Sequence, residues 1–383
     1  MTRSSVLKTA FAIVAIAFFA TPVALRGLGV TATAFENRKL AEAPRPSQGW
    51  DFFQQTTRFL TDRLPLREHA VRANNDLWTT FFGTRPRYGA TTTAGALPFA
   101  GGTRDPRGAA APGGQAADVL EGRDGWLFVK NDLVRACTPL VPTKLALERW
   151  RELVSILSAG GKRAVVVVPP DKGSIYGEHL PGGGQTDCAR RAKRRFWATL
   201  ARAPAAWGVR QLERPLARRK HRTRIPLYSK ADSHWTTFGG LELVRSVLDG
   251  VGGTVRLEPR EVVSLGERQA VGDLTVLLGA STRESLPEHT IRRTPGAPRV
   301  PGRALLIRDS FGERLAPLLR LYFHDLHDTL WPAAESRQLA DAIAGADILI
   351  FETVERDFAL RGIDGGPVSG SFLRVLRKRL GSG

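Results

Sequence analysis

A run of β-branched residues enclosed by glycine and proline sets the first limit on how this chain folds. Ala164 to Val168 is continuously apolar and ends at Pro169, and Leu145 to Leu157 before it repeats apolar residues at helical spacing. A strand that is apolar on both faces is typical of a parallel sheet covered by helices. The run therefore predicts a helix followed by a buried parallel strand.

The same alternation returns near the C-terminal end of the sequence. Ala304 to Ile307 reads as a strand and is followed by a helix from about Gly312 to Tyr322. Leu339 to Ala344 reads as a helix and is followed by the strand Ile348 to Phe351. Strands that alternate with helices predict a doubly wound α/β domain with a mostly parallel sheet. Ligands bind such sheets at the carboxyl ends of the strands, so the residues after each strand are the candidates for a site.

The N-terminal segment has the pattern of an export signal or a membrane span. Arg3 and Lys8 precede an apolar run from Thr9 to Leu25. The run is short beside the roughly 20 residues usual for a spanning helix. A cleavage site at Ala32–Ala34 is the alternative, but it lies far from the end of the run, so an uncleaved anchor is favoured. Residues 1–34 are therefore interpreted as a single-pass anchor or signal segment. The rest of the chain is then extracytoplasmic, in the periplasm or at the outer cell surface.

Two further regions follow the anchor. Residues 35–118 are predicted to be an N-terminal extension, with helical spacing from Asp51 to Leu60. The stretch from Thr84 to Ala117 is rich in Gly, Ala, Thr and Pro and predicts a flexible surface loop. Residues 119–383 are predicted to form the catalytic domain, which opens with a short hairpin from Val119 to Phe128.

Basic residues outnumber acidic ones strongly enough to favour an anionic partner. The formal net charge is +19, and Arg190 to Arg224 alone carries 13 Lys or Arg residues. An acidic polymer or an anionic lipid surface fits that charge, whereas the export signal disfavours nucleic acid. For the stretch Arg190 to Arg224 itself, the pattern favours a solvated amphipathic helix and loop, and a surface for an acidic polymer or anionic lipid is the alternative.

The two cysteines, Cys137 and Cys188, form a disulfide candidate in an oxidising compartment. Two unrelated buried thiols are the alternative. The sequence has no C-x-x-C pair and no His/Cys cluster, so it indicates no structural metal site.

An Asp-x-His pair is the first candidate for catalysis. Asp232 and His234 are two residues apart, so on an extended backbone they point to the same side. The carboxylate can then orient the imidazole, as in a nucleophilic triad. The alternative is a polar turn that caps a helix beginning near Thr236.

A serine at a strand-to-helix turn is the second candidate. Ser310 follows the predicted strand and Asp309, and the amides at the helix start, at Phe311 and Gly312, are oxyanion candidates. A simple N-cap is the alternative for Ser310, and the two roles are compatible. Together with the Asp-x-His pair, this serine predicts acyl transfer in which His234 takes the proton from Ser310 and Asp232 fixes the tautomer.

A polar loop after the first predicted strand is the third candidate. Asp171, Lys172 and Tyr176 lie in it and are predicted to contact substrate or the oxyanion. An ordinary turn punctuated by Pro and Gly is the alternative.

At these residues the chain resembles the alginate O-acetyltransferase AlgJ/AlgX-like family, whose domain is SGNH-hydrolase-like. The resemblance spans roughly Phe35 to Val354 and includes eight motifs in the family's order. They are Phe35–Arg38, Asp62–Arg67, Gly122–Phe128, Val168–Tyr176, Asp232–Trp235, Gly272–Leu274, Asp309–Phe311, and Glu352 with Arg356. Arg308 departs from the family, which usually has glycine before the Asp-Ser pair.

The resemblance implies a flavodoxin-like SGNH-hydrolase fold, a three-layer α/β/α sandwich. It implies that Ser310 (nucleophile), His234 (general base) and Asp232 (orienter) are the triad, in the reverse of the usual SGNH order. It also implies O-acetylation of a polysaccharide. The acetyl group would come from an integral-membrane acyltransferase of the MBOAT type, with no metal and no organic cofactor.

Three functions are compatible with these residues. The first is an O-acetyltransferase that acts on a cell-surface polysaccharide or exopolysaccharide. The second is an acetylesterase or deacetylase with the same triad, in which water replaces the sugar hydroxyl. The third is a catalytically silent polysaccharide-binding subunit, which the complete set of Asp232, His234 and Ser310 argues against. The sequence favours the transferase.

Overall fold

A computed structural model of the chain describes residues 119–381, except 279, 281 and 333, together with residues 28, 43 and 56. It divides into two compact units, Met1–Thr91 with Val276–Ser281, and Thr92–Thr275 with Thr282–Gly383. Apart from those three single residues, the predicted anchor and the extension at 35–118 lie outside the described residues. Among the described helices, none combines the length and apolar character needed to cross a bilayer.

The second unit alternates strands and helices as predicted. Nine strands lie in the described part: β1 Val119–Glu121, β2 Leu127–Val129, β3 Arg163–Val168, β4 Val209–Gln211, β5 Val262–Val271, β6 Arg283–Ile291, β7 Val300–Arg308, β8 Phe323–Leu330 and β9 Ile348–Glu352. The α-helices described there are α1 Lys130–Cys137, α2 Thr143–Ala159, α3 Lys172–Ile175, α4 Gly184–Leu200, α5 Glu213–Arg222, α6 Thr237–Val251, α7 Asp273–Leu277, α8 Ala316–Arg320, α9 Arg337–Gly345, α10 Glu355–Phe358 and α11 Gly370–Arg379.

Five strands form one parallel sheet in the order β4-β3-β9-β7-β8. Val167 of β3 is in register with Glu352 of β9, and Ile307 of β7 is in register with Phe351. The carboxyl ends of β3, β9 and β7 therefore lie side by side at one edge of the sheet. The α/β fold with a parallel central sheet is confirmed.

The central strands divide the domain into three layers because successive side chains leave a strand on opposite faces. Val165 and Val167 belong to one buried core cluster, and Val166 and Val168 belong to the other. Helices α5, α6 and α8 contribute to the first cluster, and helices α2, α9 and α11 to the second. Burial on both faces explains why these strands are continuously apolar in sequence.

The helix after β7 differs from its prediction. A single helix was expected from about Gly312 to Tyr322, whereas the structure has a 3-10 turn at Ser310–Gly312 and then the short helix α8. Pro317 lies in the first turn of α8, where its missing N–H leaves no helical hydrogen bond unmade. The proline therefore sets the start of α8, and the serine turn before it is a separate element.

Candidate active site

The turn that carries Ser310 is held in place by the side-chain carboxylate of Asp309. Asp309 follows the last residue of β7, and its side chain accepts hydrogen bonds from the Phe311 amide at 2.9 Å and the Val354 amide at 2.8 Å. Val354 follows strand β9, so one carboxylate ties together the ends of two neighbouring strands. Ser310 is thereby fixed at the carboxyl edge of the sheet, where the sequence predicted it.

Ser310, His234 and Asp232 form one continuous line of hydrogen bonds. Nε2 of His234 lies 2.8 Å from Oγ of Ser310, and Nδ1 lies 2.7 Å from Oδ1 of Asp232. The same Asp232 oxygen accepts the backbone N–H of His234 at 2.9 Å. An ionised carboxylate only accepts, so Nδ1 carries the proton and Nε2 is left to accept from the serine hydroxyl.

Two contacts position the histidine against the serine turn. Thr236 caps helix α6 by accepting the Gly239 amide, which fixes the chain just after His234. The indole N–H of Trp235 donates to the carbonyl of Phe311 at 3.0 Å. The predicted alternative, a polar turn that caps a helix near Thr236, is present as well, so capping and triad geometry coexist.

The electrostatics of the pair favour a charged carboxylate and a basic imidazole. Burial tends to raise the pKa of Asp232, but the hydrogen bonds and charge of His234 outweigh it and hold that pKa well below its ordinary value. Burial tends to lower the pKa of His234, but Asp232 outweighs it, so that pKa lies above 6.5. The low local dielectric strengthens both effects.

A second carboxylate lies behind the histidine. Asp273 accepts the Ser233 amide at 2.6 Å and also the Ser233 hydroxyl, and its Oδ2 is 3.4 Å from Nδ1 of His234. Burial, followed by the charge of Asp232, raises the pKa of Asp273. The sequence marks Asp273 only through the Gly272–Leu274 motif, without assigning it a role, because it follows Asp232 by some 40 residues and only the fold brings the two together.

These groups bear on whether the site can hold a metal. One ligand atom each from Asp232, His234 and Asp273 lies within 4.8 Å of the others. The 2.7 Å between Nδ1 and the Asp232 oxygen is a hydrogen-bond distance, and ligands at about 2 Å from a common zinc ion lie further apart than that. The geometry therefore fits a shared proton between these two atoms.

Lys172 holds the segment that carries Asp232. Its ammonium group donates to the carbonyls of Ser229 at 3.0 Å, Lys230 at 3.0 Å and Asp232 at 2.6 Å. The side chain is buried, and that burial lowers the pKa of Lys172 to about 8. Lys172 was predicted to contact substrate or the oxyanion. Its three donors instead bind backbone carbonyls, which gives it a structural position beside the triad.

Asp171 and Tyr176 also differ from the prediction that they contact substrate or the oxyanion. Asp171 is fully buried, with its oxygens 2.6 Å from Arg356 and 3.0 Å from Lys193. The hydroxyl of Tyr176 accepts the Leu227 amide at 3.1 Å, and its ring is stacked inside the core. The polar atoms of both residues are thus bound by protein partners. Ion pairs and apolar neighbours set the positions of Asp171 and Tyr176, and a local sequence motif does not reveal such contacts.

Arg356 connects this buried ion cluster to the triad. Its guanidinium lies 5.3 Å from the centre of the Phe311 ring, and that ring lies 5.0 Å from the imidazole of His234. The charges of Asp132 and Asp171 outweigh burial and hold the pKa of Arg356 well above its ordinary value, so the residue is a permanent cation. The sequence marked Arg356 only through a motif, without assigning it a role.

The two predicted oxyanion donors, the amides of Phe311 and Gly312, differ in their surroundings. The Phe311 amide is already bound to the Asp309 carboxylate. The Gly312 backbone is packed so closely that an added Cβ would lie 2.9 Å from Cβ and Cδ of Arg308. Arg308 itself donates to Asp328 of β8 at 2.7 Å, so the residue that departs from the family pattern is bound to the neighbouring strand.

The two cysteines are joined. Cys137 at the end of α1 and Cys188 in α4 form a disulfide with 5.7 Å between their Cα atoms. The bridge links helices α1 and α4, which also pack against each other.

A parallel-sheet α/β domain with a serine, a histidine and an aspartate at its carboxyl edge is the arrangement that an SGNH-hydrolase-like protein requires. Residues 119–309 match the model of the ALGX family, described as SGNH hydrolase-like domain, acetyltransferase AlgX. Through this region the chain belongs to the AlgJ/AlgX-like family, and it is an SGNH-type acetyltransferase.

Solved structures of three bacterial proteins are similar to the chain. The O-acetyltransferase domain of Pseudomonas putida AlgJ is 18% identical over 68% of this chain and 98% of its own, with a TM-score of 0.46. Pseudomonas aeruginosa AlgX is 19% identical over 70% of this chain and 68% of its own, with a TM-score of 0.48. Bacillus cereus PatB1 is 13% identical over 63% of this chain and 97% of its own, with a TM-score of 0.45. Comparison with curated protein sequences gives no match.

Proposed function

We propose that this protein transfers acetyl groups to hydroxyls of a cell-surface polysaccharide or exopolysaccharide through an acetyl ester on Ser310. The observation that carries the proposal is the unbroken hydrogen-bonded line from Asp232 through His234 to the serine hydroxyl. That line supplies a nucleophile, a base in reach of its proton and a group that orients the base.

In the first half-reaction, Oγ of Ser310 attacks the acetyl carbonyl carbon of the donor while Nε2 of His234 takes the hydroxyl proton. The donor's leaving oxygen departs with that proton from the imidazolium, which leaves acetyl on the serine. In the second half-reaction, a sugar hydroxyl gives its proton to Nε2 as its oxygen bonds to the acetyl carbon. Oγ then leaves and recovers the proton, and the sugar ester is released.

Asp232 contributes by stabilising the imidazolium that forms in both halves. Its depressed pKa keeps it ionised at neutral pH, so it remains a hydrogen-bond acceptor for Nδ1 throughout. In comparable triads the loss of this carboxylate costs about 10⁴-fold in turnover. The burial of the pair strengthens the interaction because little water screens it.

The setting proposed for this reaction is outside the cytoplasm, at the membrane. The basic residues and apolar run of residues 1–34 support a membrane tether. The Cys137–Cys188 bridge supports an oxidising compartment, because disulfides persist there. An integral-membrane acyltransferase of the MBOAT type is the proposed acetyl donor, and no other cofactor is needed.

The test compares the full-length wild type with Ser310→Ala. Each is incubated with a chromogenic acetyl ester, with and without an oligosaccharide, and the sugar is then weighed by mass spectrometry. Ser155→Ala is the matched control, because Ser155 is exposed on helix α2. Acetylated sugar formed by the wild type and the control, but not by Ser310→Ala, is the expected result. Serine-dependent ester cleavage without sugar acetylation would instead indicate an esterase, and no serine-dependent cleavage would indicate a binding subunit.

A further inference from the structure

A fully buried glutamate packs against the turn that carries Ser310. Glu352 is the last residue of β9, the central strand of the parallel sheet. Its Oε2 accepts the Asp309 amide at 2.8 Å, so it binds the residue immediately before the serine. The same oxygen would lie 3.2 Å from a Cβ added to Gly312. Glu352 therefore contacts both ends of the serine turn.

The other oxygen of Glu352 is a buried polar atom without a partner. No donor in the described part of the chain binds Oε1, and no described residue forms an ion pair with the side chain. Arg361 faces Glu352, but it pairs with Asp357 at 3.6 Å. Val167 of β3 and Trp331 after β8, which also adjoin Glu352, carry no charge. An ionised carboxylate here would be a buried charge without compensation, which is strongly unfavourable.

The charges near Glu352 also favour its neutral form. Asp309 faces it from the turn after β7, and Arg308 at the end of that strand is already bound to Asp328 at 2.7 Å. Burial raises the pKa of Glu352 well above its ordinary value. The charge of Asp309 and a hydrogen bond to its side chain raise that pKa further, against the lowering effect of the Asp309 amide.

The hydrogen bonds of Asp309 indicate which of the two carboxyl groups holds a proton. A hydrogen bond between two carboxyl groups requires a proton on one of them. The two oxygens of Asp309 accept the amides of Phe311 and Val354, at 2.9 Å and 2.8 Å. Amide donors stabilise the charged form of the carboxylate that accepts them. The proton between the pair therefore belongs to Glu352.

We propose that Glu352 is a neutral acid in the folded protein, hydrogen-bonded to the Asp309 carboxylate, and that it is a positioning residue for Ser310. It holds Asp309 by both the backbone amide and the side chain, and so fixes the turn that places the serine hydroxyl 2.8 Å from His234. A small displacement of a nucleophile lowers the rate steeply. The positioning role rests on the proposed function, whereas the protonation of Glu352 does not depend on turnover.

The experiment compares the full-length wild type with Glu352→Gln and Glu352→Met. Glutamine has the shape of the acid, stays neutral, accepts the Asp309 amide and can donate to the Asp309 carboxylate. Methionine is neutral but makes neither hydrogen bond. Glu148→Gln is the matched control, because Glu148 is exposed on helix α2. Urea unfolding is measured at a series of pH values from about 5 upward, where an unfolded glutamate is ionised. The kcat and KM for cleavage of a chromogenic acetyl ester are measured at neutral pH.

Unfolding should release the proton that Glu352 holds in the folded protein. The unfolding equilibrium constant of the wild type, divided by that of Glu352→Gln, should therefore rise about tenfold per pH unit until Glu352 ionises in the folded protein. Other titrating groups are common to both proteins and cancel in this ratio. The ratio of the wild type to Glu148→Gln should not vary with pH. A wild-type to Glu352→Gln ratio that is independent of pH would overturn the proposal. Failure of Glu352→Gln to fold would also overturn it, because a neutral isostere should replace a neutral acid.

Ester cleavage tests the positioning role. We expect Glu352→Gln to retain kcat within about threefold of the wild type, and Glu352→Met to lose about tenfold or more in kcat with a smaller change in KM. The urea curves establish that each variant is folded in the assay. Wild-type turnover by Glu352→Met, or equal losses in the two variants, would overturn the positioning role. Absence of ester cleavage by the wild type would overturn the proposed function, and the unfolding comparison would still decide whether Glu352 is protonated.

Discussion

The imidazole of His234 lies 2.8 Å from the hydroxyl of Ser310, although 76 residues separate them in the chain. The fold brings the two residues together at the carboxyl edge of the sheet, where the segment before α6 contacts the turn after β7. The indole of Trp235, bound to the Phe311 carbonyl, fixes the two segments to each other. The distance between His234 and Ser310 is therefore set by the tertiary fold and by the adjacent Trp235.

The pH dependence of catalysis should report the interaction between Asp232 and His234. Nε2 must be unprotonated to act as a base, so activity should fall as pH drops through a His234 pKa that lies above 6.5. In Asp232→Asn the opposing effect of burial remains, so the His234 pKa should fall and the acidic limb should move to lower pH. Maximal turnover should decrease about 10³- to 10⁴-fold. The measurement is kcat/KM against pH for cleavage of a chromogenic acetyl ester.

Asp364→Asn is the control for that profile, because Asp364 is exposed and remote in sequence from the triad. Its acidic limb should coincide with that of the wild type. An Asp232→Asn enzyme whose limb stays at the wild-type position would show that Asp232 does not set the basicity of His234.

Lys172 should act as a positioning residue whose loss affects both stability and turnover. Lys172→Met leaves three backbone carbonyls without their donor, and we expect the free energy of unfolding to fall by about 2–4 kcal/mol. Lys172→Arg should not restore the wild type, because a planar guanidinium cannot reproduce three converging donors. The measurements are urea unfolding and ester cleavage. The control is Lys144→Met, which replaces an exposed lysine on α2. Unchanged unfolding in Lys172→Met would contradict the assignment.

The disulfide should stabilise the domain. Cys137 and Cys188 are 51 residues apart, and a closed loop of that size contributes about 4 kcal/mol in the chain-entropy account. Replacement of both by serine should lower the free energy of unfolding by about 2–4 kcal/mol. A reductant should lower the free energy of unfolding of the wild type to that of the double variant, and it should leave the double variant's value unchanged. Equal stability of the wild type with and without reductant would refute this.

The central layer of the fold was predictable from sequence because its strands are buried on both faces. Burial makes β3, the inner part of β7, and β9 continuously apolar, and the helices α2 and α9 show clear apolar spacing. The edge strand β8 carries the polar sequence Phe323–Leu330 and was not predicted, since an edge strand needs fewer apolar residues. The exposed ribbon β5–β6 was missed for the same reason.

The site was predictable where chemistry depends on local spacing and was not where it depends on packing. Asp232 and His234 meet through their local spacing, as expected. The approach of Ser310 to His234 depends on the fold, and it was expected because Ser310 follows a predicted strand of a parallel sheet and because of the family resemblance. Asp171, Lys172 and Tyr176 were expected at the substrate because they follow a strand. Asp171 is instead buried, because Arg356 and Lys193 approach from other parts of the chain and bind its carboxylate.

The most direct test of the account is to find the acetyl group on Ser310. Full-length wild type and Ser310→Ala are exposed briefly to a chromogenic acetyl ester, quenched in acid and examined by intact-protein mass and peptide mapping. We predict that the wild type gains the mass of one acetyl group, located on the peptide that contains Ser310, and that Ser310→Ala gains none there. An acetyl group found only on other residues, or equal labelling of the two proteins, would contradict the account.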